Sequence, residues 1–308
     1  MQKKMQPDIE IEKNNPQKER RKNSAAYFIA FLVLVLIVLA SAMFFKKTGN
    51  PSPANQETSD KTTFIEDFQK KETMSETAKI SESASSDWWV NSGGLLTTGD
   101  GVGKTIQGEL SSDSEWYGRY KKSNSQDTDG GAHPQNIFRL VARGKWDNLR
   151  QEAYFRINKM NFSESPNRNE SNGILLFNRY EDGDNLYYTG LRVDGSAIIK
   201  KKYGGEYYTL SEKKIFPGEE YDREKNPNLL PLGEWIGLRS ELRNTPDGDV
   251  EIRLYVDEGK TGNWKLAASV LDNGKKEFGK HILSDAGHAG IRTDFMDVEF
   301  SDYKITNF

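Results

Sequence analysis

Cysteine is absent from all 308 residues. That excludes a disulfide framework, a thiolate nucleophile, a zinc–thiolate site and an acylated lipoprotein N-terminus. Histidine is scarce, and His133, His281 and His288 show neither HxH nor HExxH spacing, so no His-based zinc site is expected. Positive charge is not in excess: 43 Lys and Arg against 46 Asp and Glu give a formal net charge of -3. The electrostatic case for a nucleic-acid partner is therefore missing. Beyond residue 64 no 3.6-residue periodicity is sustained over three turns, which argues against a helical domain. What the chain does have, 11% aromatic residues and 27 glycines, favours a β-rich domain with many turns.

One segment stands apart. Ala25 to Phe45, AAYFIAFLVLVLIVLASAMFF, is 21 residues without a charge. A helix of that length crosses a hydrocarbon core of about 30 Å. Lys18, Arg20, Arg21 and Lys22 lie just upstream, and only Lys46 and Lys47 lie close downstream. The positive-inside rule then places residues 1–24 in the cytoplasm as a short tail and the rest outside. Ala40-Ser41-Ala42 has the form of a signal-peptidase site, but the apolar run is longer than the ~7–15 residues of a cleaved signal. The expectation is an uncleaved signal-anchor at 25–45 in contact with the lipid bilayer. Residues 46–63, rich in Pro, Ser, Thr and Asn, read as a flexible linker. Residues 64–308 show no second break in composition and are expected to form one extracellular domain. Without disulfides it needs a large core, and a bound metal ion would add to it.

Within that domain short runs alternate with period two. GILLFNRY (173–180), NLYYTGLRV (185–193), SAIIKKKY (196–203), EYYTL (206–210), WIGLRSELR (235–243) and VEIRLYV (250–256) are the clearest. Asp194-Gly195 and Gly204-Gly205 separate consecutive runs, and such pairs supply the positive φ that tight hairpins need. The fold class expected is all-β: an antiparallel two-sheet β-sandwich, or jelly roll, preceded by one transmembrane helix.

Four stretches carry a family resemblance. FIEDF (64–68), the hairpin GILLFNRYEDGDNLYYTGLRVDG, the strand GEWIGLRSEL with its partner VEIRLYVD, and the closing GHAGIRTDFMDVEFSDYKI together resemble the concanavalin A-like lectin/glucanase superfamily, which includes laminin-G-like domains. The resemblance covers residues 64–308 and implies that the early acidic-aromatic strand lies beside the last one. It implies a glycan or polysaccharide as partner. It also implies a structural calcium ion between first and last strands, with Glu66, Asp67 and Asp302 as the matching acids. Oxygen ligands of that kind suit calcium.

RSELR (239–243) resembles the R-[ST]-E-[LV]-R strand of jelly-roll alginate lyases, but the Q-[IV]-H and Y-x-K-x-G-x-Y-x-Q strands of those enzymes have no counterpart here. Alternation puts Ile236, Leu238 and Leu242 on one face of that strand, with Arg239, Glu241 and Arg243 on the other. Tyr188 and Arg192 face opposite to Leu191 and Val193. If the neighbouring strands lie alongside, Lys200 or Lys201 and Tyr207 or Tyr208 join Arg239 and Glu241 on one ligand-binding surface. Aromatic faces stack on sugar rings, and basic groups suit acidic or sulfated sugars. The expected role is that of a membrane-anchored, lectin-like carbohydrate-binding domain, with a jelly-roll polysaccharide lyase or glycoside hydrolase and a non-sugar adhesion module as alternatives. No catalytic residue is assigned. EYDRE (220–224) has the E-x-D-x-E spacing of laminarinase-type hydrolases, but its flanks FPGE and KNPNLLP read as loop. GDGVGKT (99–105) lacks the first glycine of a phosphate loop and no helix follows it.

Overall fold

Hydrophobic alternation is cleanest in the strands of one sheet. Val250, Ile252, Leu254 and Val256 point inward along β13 (Val250–Glu258), with the charged residues between them turned outward. The same holds for Leu149, Gln151, Ala153, Phe155 and Ile157 along β7 (Leu149–Met160). The computed structural model describes residues 63–308. The expected cytoplasmic tail, the transmembrane helix at 25–45 and the linker as far as residue 62 lie outside the described residues. Among the described residues no helix is long and apolar enough to cross a membrane.

Two antiparallel sheets pack face to face, as expected from the sequence. The nine-stranded sheet runs β14 (Lys265–Asp272), β13, β12 (Trp235–Asn244), β7, β16 (Met296–Asn307), β5 (Val102–Lys104), β4 (Leu95–Gly99), β2 (Glu72–Ser75), with β1 (Thr63–Glu66) also paired to β16. The seven-stranded sheet runs β11 (Glu206–Lys214), β10 (Ser196–Tyr203), β9 (Asn185–Arg192), β8 (Gly173–Asp182), β15 (Gly287–Asp294), β6 (Ile137–Trp146), β3 (Trp88–Ser92). Early and late strands do meet: Thr63 pairs with Thr306 and Glu66 with Tyr303. The hairpin turns fall where expected, and Gly204 and Gly205 both take positive φ (57° and 87°), the conformation a two-residue turn of this hand demands.

The core between the sheets holds Trp88, which packs edge-on against Tyr303 at 4.8 Å and Phe64 at 5.5 Å. A polar seam crosses it. Gln151 Nε2 donates to Phe177 O and Asn178 Oδ1, each at 2.7 Å, and its Oε1 accepts from the Tyr303 hydroxyl at 2.8 Å. Every arm of a buried amide so placed is engaged, which is the condition for tolerating it there.

Three features beyond the sequence reading stand out. A helix, α1 (Glu115–Ser123), interrupts the strands; at nine residues it is below the three turns that periodicity detects. It buries Trp116 and Tyr120, one turn apart, against the sandwich. GDGVGKT forms the β4–β5 hairpin, with Asp100 and Gly101 at its tip in positive φ. Finally, β8 and β9 are buried along nearly their whole length instead of alternating. Their second face carries its own apolar cluster of Val141, Leu175, Phe177, Leu186, Tyr188 and Ile198.

Candidate functional site

Two cross-strand rows build a depression on the outer face of the seven-stranded sheet. Ile198 pairs with Gly190, Gly190 with Leu175, and Leu175 with Arg292. In the next row Lys200 pairs with Tyr188, Tyr188 with Phe177, and Phe177 with Gly290. Leu175 and Ile198, on either side of Gly190, line the depression. A Cβ on Gly190 would come within 2.3 Å of Ile174 O, so β9 can approach β8 this closely only without a side chain. The resulting cavity is ≈ 450 Å³, within the range of small-ligand sites.

Its walls come from elsewhere in the chain. Tyr207 on β11 stands half-exposed beside Tyr188, ring centroids 6.3 Å apart and 26° from parallel. Opposite, Arg292 on β15 donates to the Tyr188 hydroxyl at 3.0 Å and to Asp294 Oδ1 at 2.9 Å. Asn167, Asn169, Ser171 and Asn172 form the rim. That rim is held by Asp127, whose Oδ1 accepts from Ser165 (2.6 Å) and Asn167 (2.9 Å) and whose Oδ2 accepts from Asn124 (3.0 Å). Burial acts to raise the Asp127 pKa, but these hydrogen bonds outweigh it and hold the carboxyl below its ordinary value. EYDRE is a loop, as its flanks indicated, and it braces the same rim: Glu224 pairs with the buried Arg168 at 3.0 Å.

Of the residues singled out in the sequence, the fold brings together Tyr188, Arg192, Lys200 and Tyr207. Lys201 turns inward instead. Arg192 is braced by Asp194 at 3.0 Å and Glu212 at 3.2 Å. Lys200 has no carboxylate at salt-bridge distance among the described residues, and the Tyr207 ring lies 5.9 Å from its Nζ. Burial, and then the Arg192 charge, lowers its pKa.

Arg239 and Glu241 do not belong to this surface, which corrects the expected site. They lie on the outer face of the nine-stranded sheet, because β12 pairs with β7 and β13 and not with the hairpins that carry Tyr188 and Tyr207. There Arg239 pairs with Glu152 and Glu241 with Arg150, each at 2.6 Å, and the Arg239 guanidinium covers the Trp264 ring at 4.2 Å. RSELR is a half-buried strand whose Arg239 and Glu241 are answered by the neighbouring β7.

The calcium expectation fails a test of fit. Glu66, Asp67 and Asp302 do line one depression of ≈ 210 Å³, together with Lys304. Yet Glu66 accepts from Phe68 N at 2.8 Å with one oxygen and from the Trp88 indole at 3.0 Å with the other. Asp302 is paired with Lys260 at 2.6 Å. Among the described residues no three acidic or histidine side chains gather to hold an ion.

Sequence reasoning missed Arg292, Asp294, Asp127 and the asparagine rim. Alternation within GIRTDF does put Arg292 and Asp294 on one face, but nothing local says which strand that face adjoins.

No family model matches the chain, and no curated protein does. Among similar solved structures are the carbohydrate binding module CBM66 from Bacillus subtilis (12% identity over 56% of this chain and 84% of that one, TM-score 0.39) and the Bacillus licheniformis beta-glucanase (11%, 80% and 98%, TM-score 0.41). The VIP36 exoplasmic/lumenal domain in its Ca2+/Man-bound form is a third (9%, 81% and 91%, TM-score 0.38). At such scores the likeness says nothing of a ligand for this chain.

Proposed function

We propose that residues 63–308 form a carbohydrate-binding domain that takes its ligand in the cavity walled by Tyr188 and Tyr207, and that residues 25–45 anchor it in a membrane with the sandwich outside. The single observation that carries the reading is the half-exposed Tyr207 ring standing beside Tyr188 over a pocket rimmed by asparagines. A flat aromatic flank with amide groups around it matches a sugar, which has an apolar ring face and hydroxyls at its edge. Binding without catalysis is favoured by the state of the carboxylates. A retaining or inverting hydrolase needs two carboxyl groups flanking the bond, one of them protonated by a raised pKa, whereas the Asp127 carboxyl is held below its ordinary value. Asp294 is engaged by Arg292, and Asp127 by three neutral donors.

A glycan array probed with the full chain tests the reading. Retention of a defined glycan subset, lost in Tyr207→Ala and without release of shorter products, supports it. A silent array, or a signal unaffected by Tyr207→Ala, removes it. Protease accessibility of the sandwich on intact cells tests the placement outside.

A further inference from the structure

Three cations line the pocket, and they are not equivalent. Arg192 is held by Asp194 and Glu212, and Arg292 by Asp294, so each guanidinium has a carboxylate and a fixed position. Lys200, in the row beyond that of Arg292, has no carboxylate at salt-bridge distance among the described residues, and the acid that acts on it through space, Glu212, is already paired with Arg192. The remaining lining acid, Asp127, has both oxygens filled by hydroxyl and amide donors. An ammonium partly withdrawn from water with no carboxylate in contact is costly, and two nearby guanidiniums add to a cost that Glu212 offsets only in part. A neutral sugar covering Lys200 would worsen that state by excluding more water. An anionic one would relieve it through a charge-assisted hydrogen bond.

We infer that the sugar bound in this pocket carries an acidic group, a uronate carboxylate or a sulfate ester, seated against Lys200 within the field of Arg192 and Arg292. This rests on the carbohydrate reading above and narrows it. The Tyr207 ring takes the apolar face of the sugar, and Lys200, 5.9 Å from that ring, meets a substituent at the sugar's edge. The braced guanidiniums set the field of the site without being consumed by the ligand.

The test is calorimetry on the full chain with matched probes. One pair is a glucuronate-containing oligosaccharide and its carboxyl-reduced form; the other is a sulfated galactose oligosaccharide and its desulfated form. One acidic member should bind about tenfold or more tighter than its neutral partner, the scale of a hydrogen bond to a charged group. Which pair shows the gap tells carboxylate from sulfate. Lys200→Gln should bring the ratio close to one, and Lys200→Arg should keep most of it, with unchanged thermal midpoints showing that both variants fold. Equal affinity for acidic and neutral members overturns the inference and leaves carbohydrate binding standing. A preference that survives Lys200→Gln overturns the assignment to this residue. If no glycan of either kind binds, here or on the array, the carbohydrate reading falls and this inference falls with it.

Discussion

Lys201 Nζ stands 2.7 Å from Asp272 Oδ2, and neither side chain reaches solvent. Lys201 belongs to β10 and Asp272 to β14, so the pair ties one sheet to the other at an end of the sandwich. The Tyr187 hydroxyl donates to the same carboxylate oxygen at 2.6 Å and accepts from Leu283 N at 3.2 Å; Lys201 also donates to His281 O. Burial, and then the Asp272 charge, pushes the Tyr187 phenol well above its ordinary pKa, which keeps it a donor. The network fastens the segment after β14 across the open end of the core.

Removing one partner strands the other. Lys201→Met should cost about 3–5 kcal/mol, because it leaves a carboxylate buried without its cation. Lys201→Met with Asp272→Leu should recover much of that loss. Urea unfolding midpoints of the two variants read the difference directly. A double variant as unstable as the single one would show that packing, not charge, sets the cost.

Ligand affinity should respond to one sheet only. Tyr207→Ala removes a half-exposed ring at the pocket wall and should weaken glycan binding by about 1–2 kcal/mol, as truncation of a central aromatic contact does. Arg239→Ala and Glu241→Ala, on the opposite sheet, should leave it unchanged. Titration calorimetry compares the three, and a loss at Arg239 would move the ligand to the other face.

His288 gives the domain a pH dependence of its own. Its Nδ1 lies 3.0 Å from Gly144 O and 3.2 Å from Ala142 O, and burial lowers its pKa from 6.5. A depressed folded value means that the unfolded chain takes up the proton first. The associated stability is present above pH 6.5 and is lost as pH falls through the folded pKa. The depressed carboxylates of Asp127, Asp257 and Glu299 act only below their ordinary values of 3.8 to 4.5, so the windows separate. Thermal midpoints between about pH 6.5 and 5 should fall in the wild type and stay flatter in His288→Gln.

Glu66 works as an acceptor for two N–H groups. Glu66→Gln puts an amide donor against either the Trp88 indole or Phe68 N, and should cost about 1–2 kcal/mol. Calcium or a chelator should leave the melting temperature of both forms unmoved. A calcium-dependent rise in the wild type alone would restore the metal reading.

Much of the sandwich was legible because its turns are local. SAIIKKKY matches β10 end to end, since Asp194-Gly195 and Gly204-Gly205 fix both limits. Tyr188, Lys200 and Tyr207 could be grouped for the same reason: consecutive hairpins keep neighbouring strands in one sheet. Arg239 was misplaced because its sheet is decided by β7; its partner Glu152 is 87 residues earlier. Arg292 meets Tyr188 across 104 residues, and no local pattern carries that distance. The asparagine rim lies in a turn-rich loop with no apolar alternation, so only the finished fold shows where it sits.

The ladder from Thr63↔Thr306 to Glu66↔Tyr303 has a mechanical consequence. Tension arriving from the N-terminal side enters the sandwich at Thr63 and is borne first by four residue pairs and by Phe64, wedged against Trp88. Under load β1 should peel from β16 well before the hairpins around Tyr188 feel strain, so the binding face would outlast the first rupture.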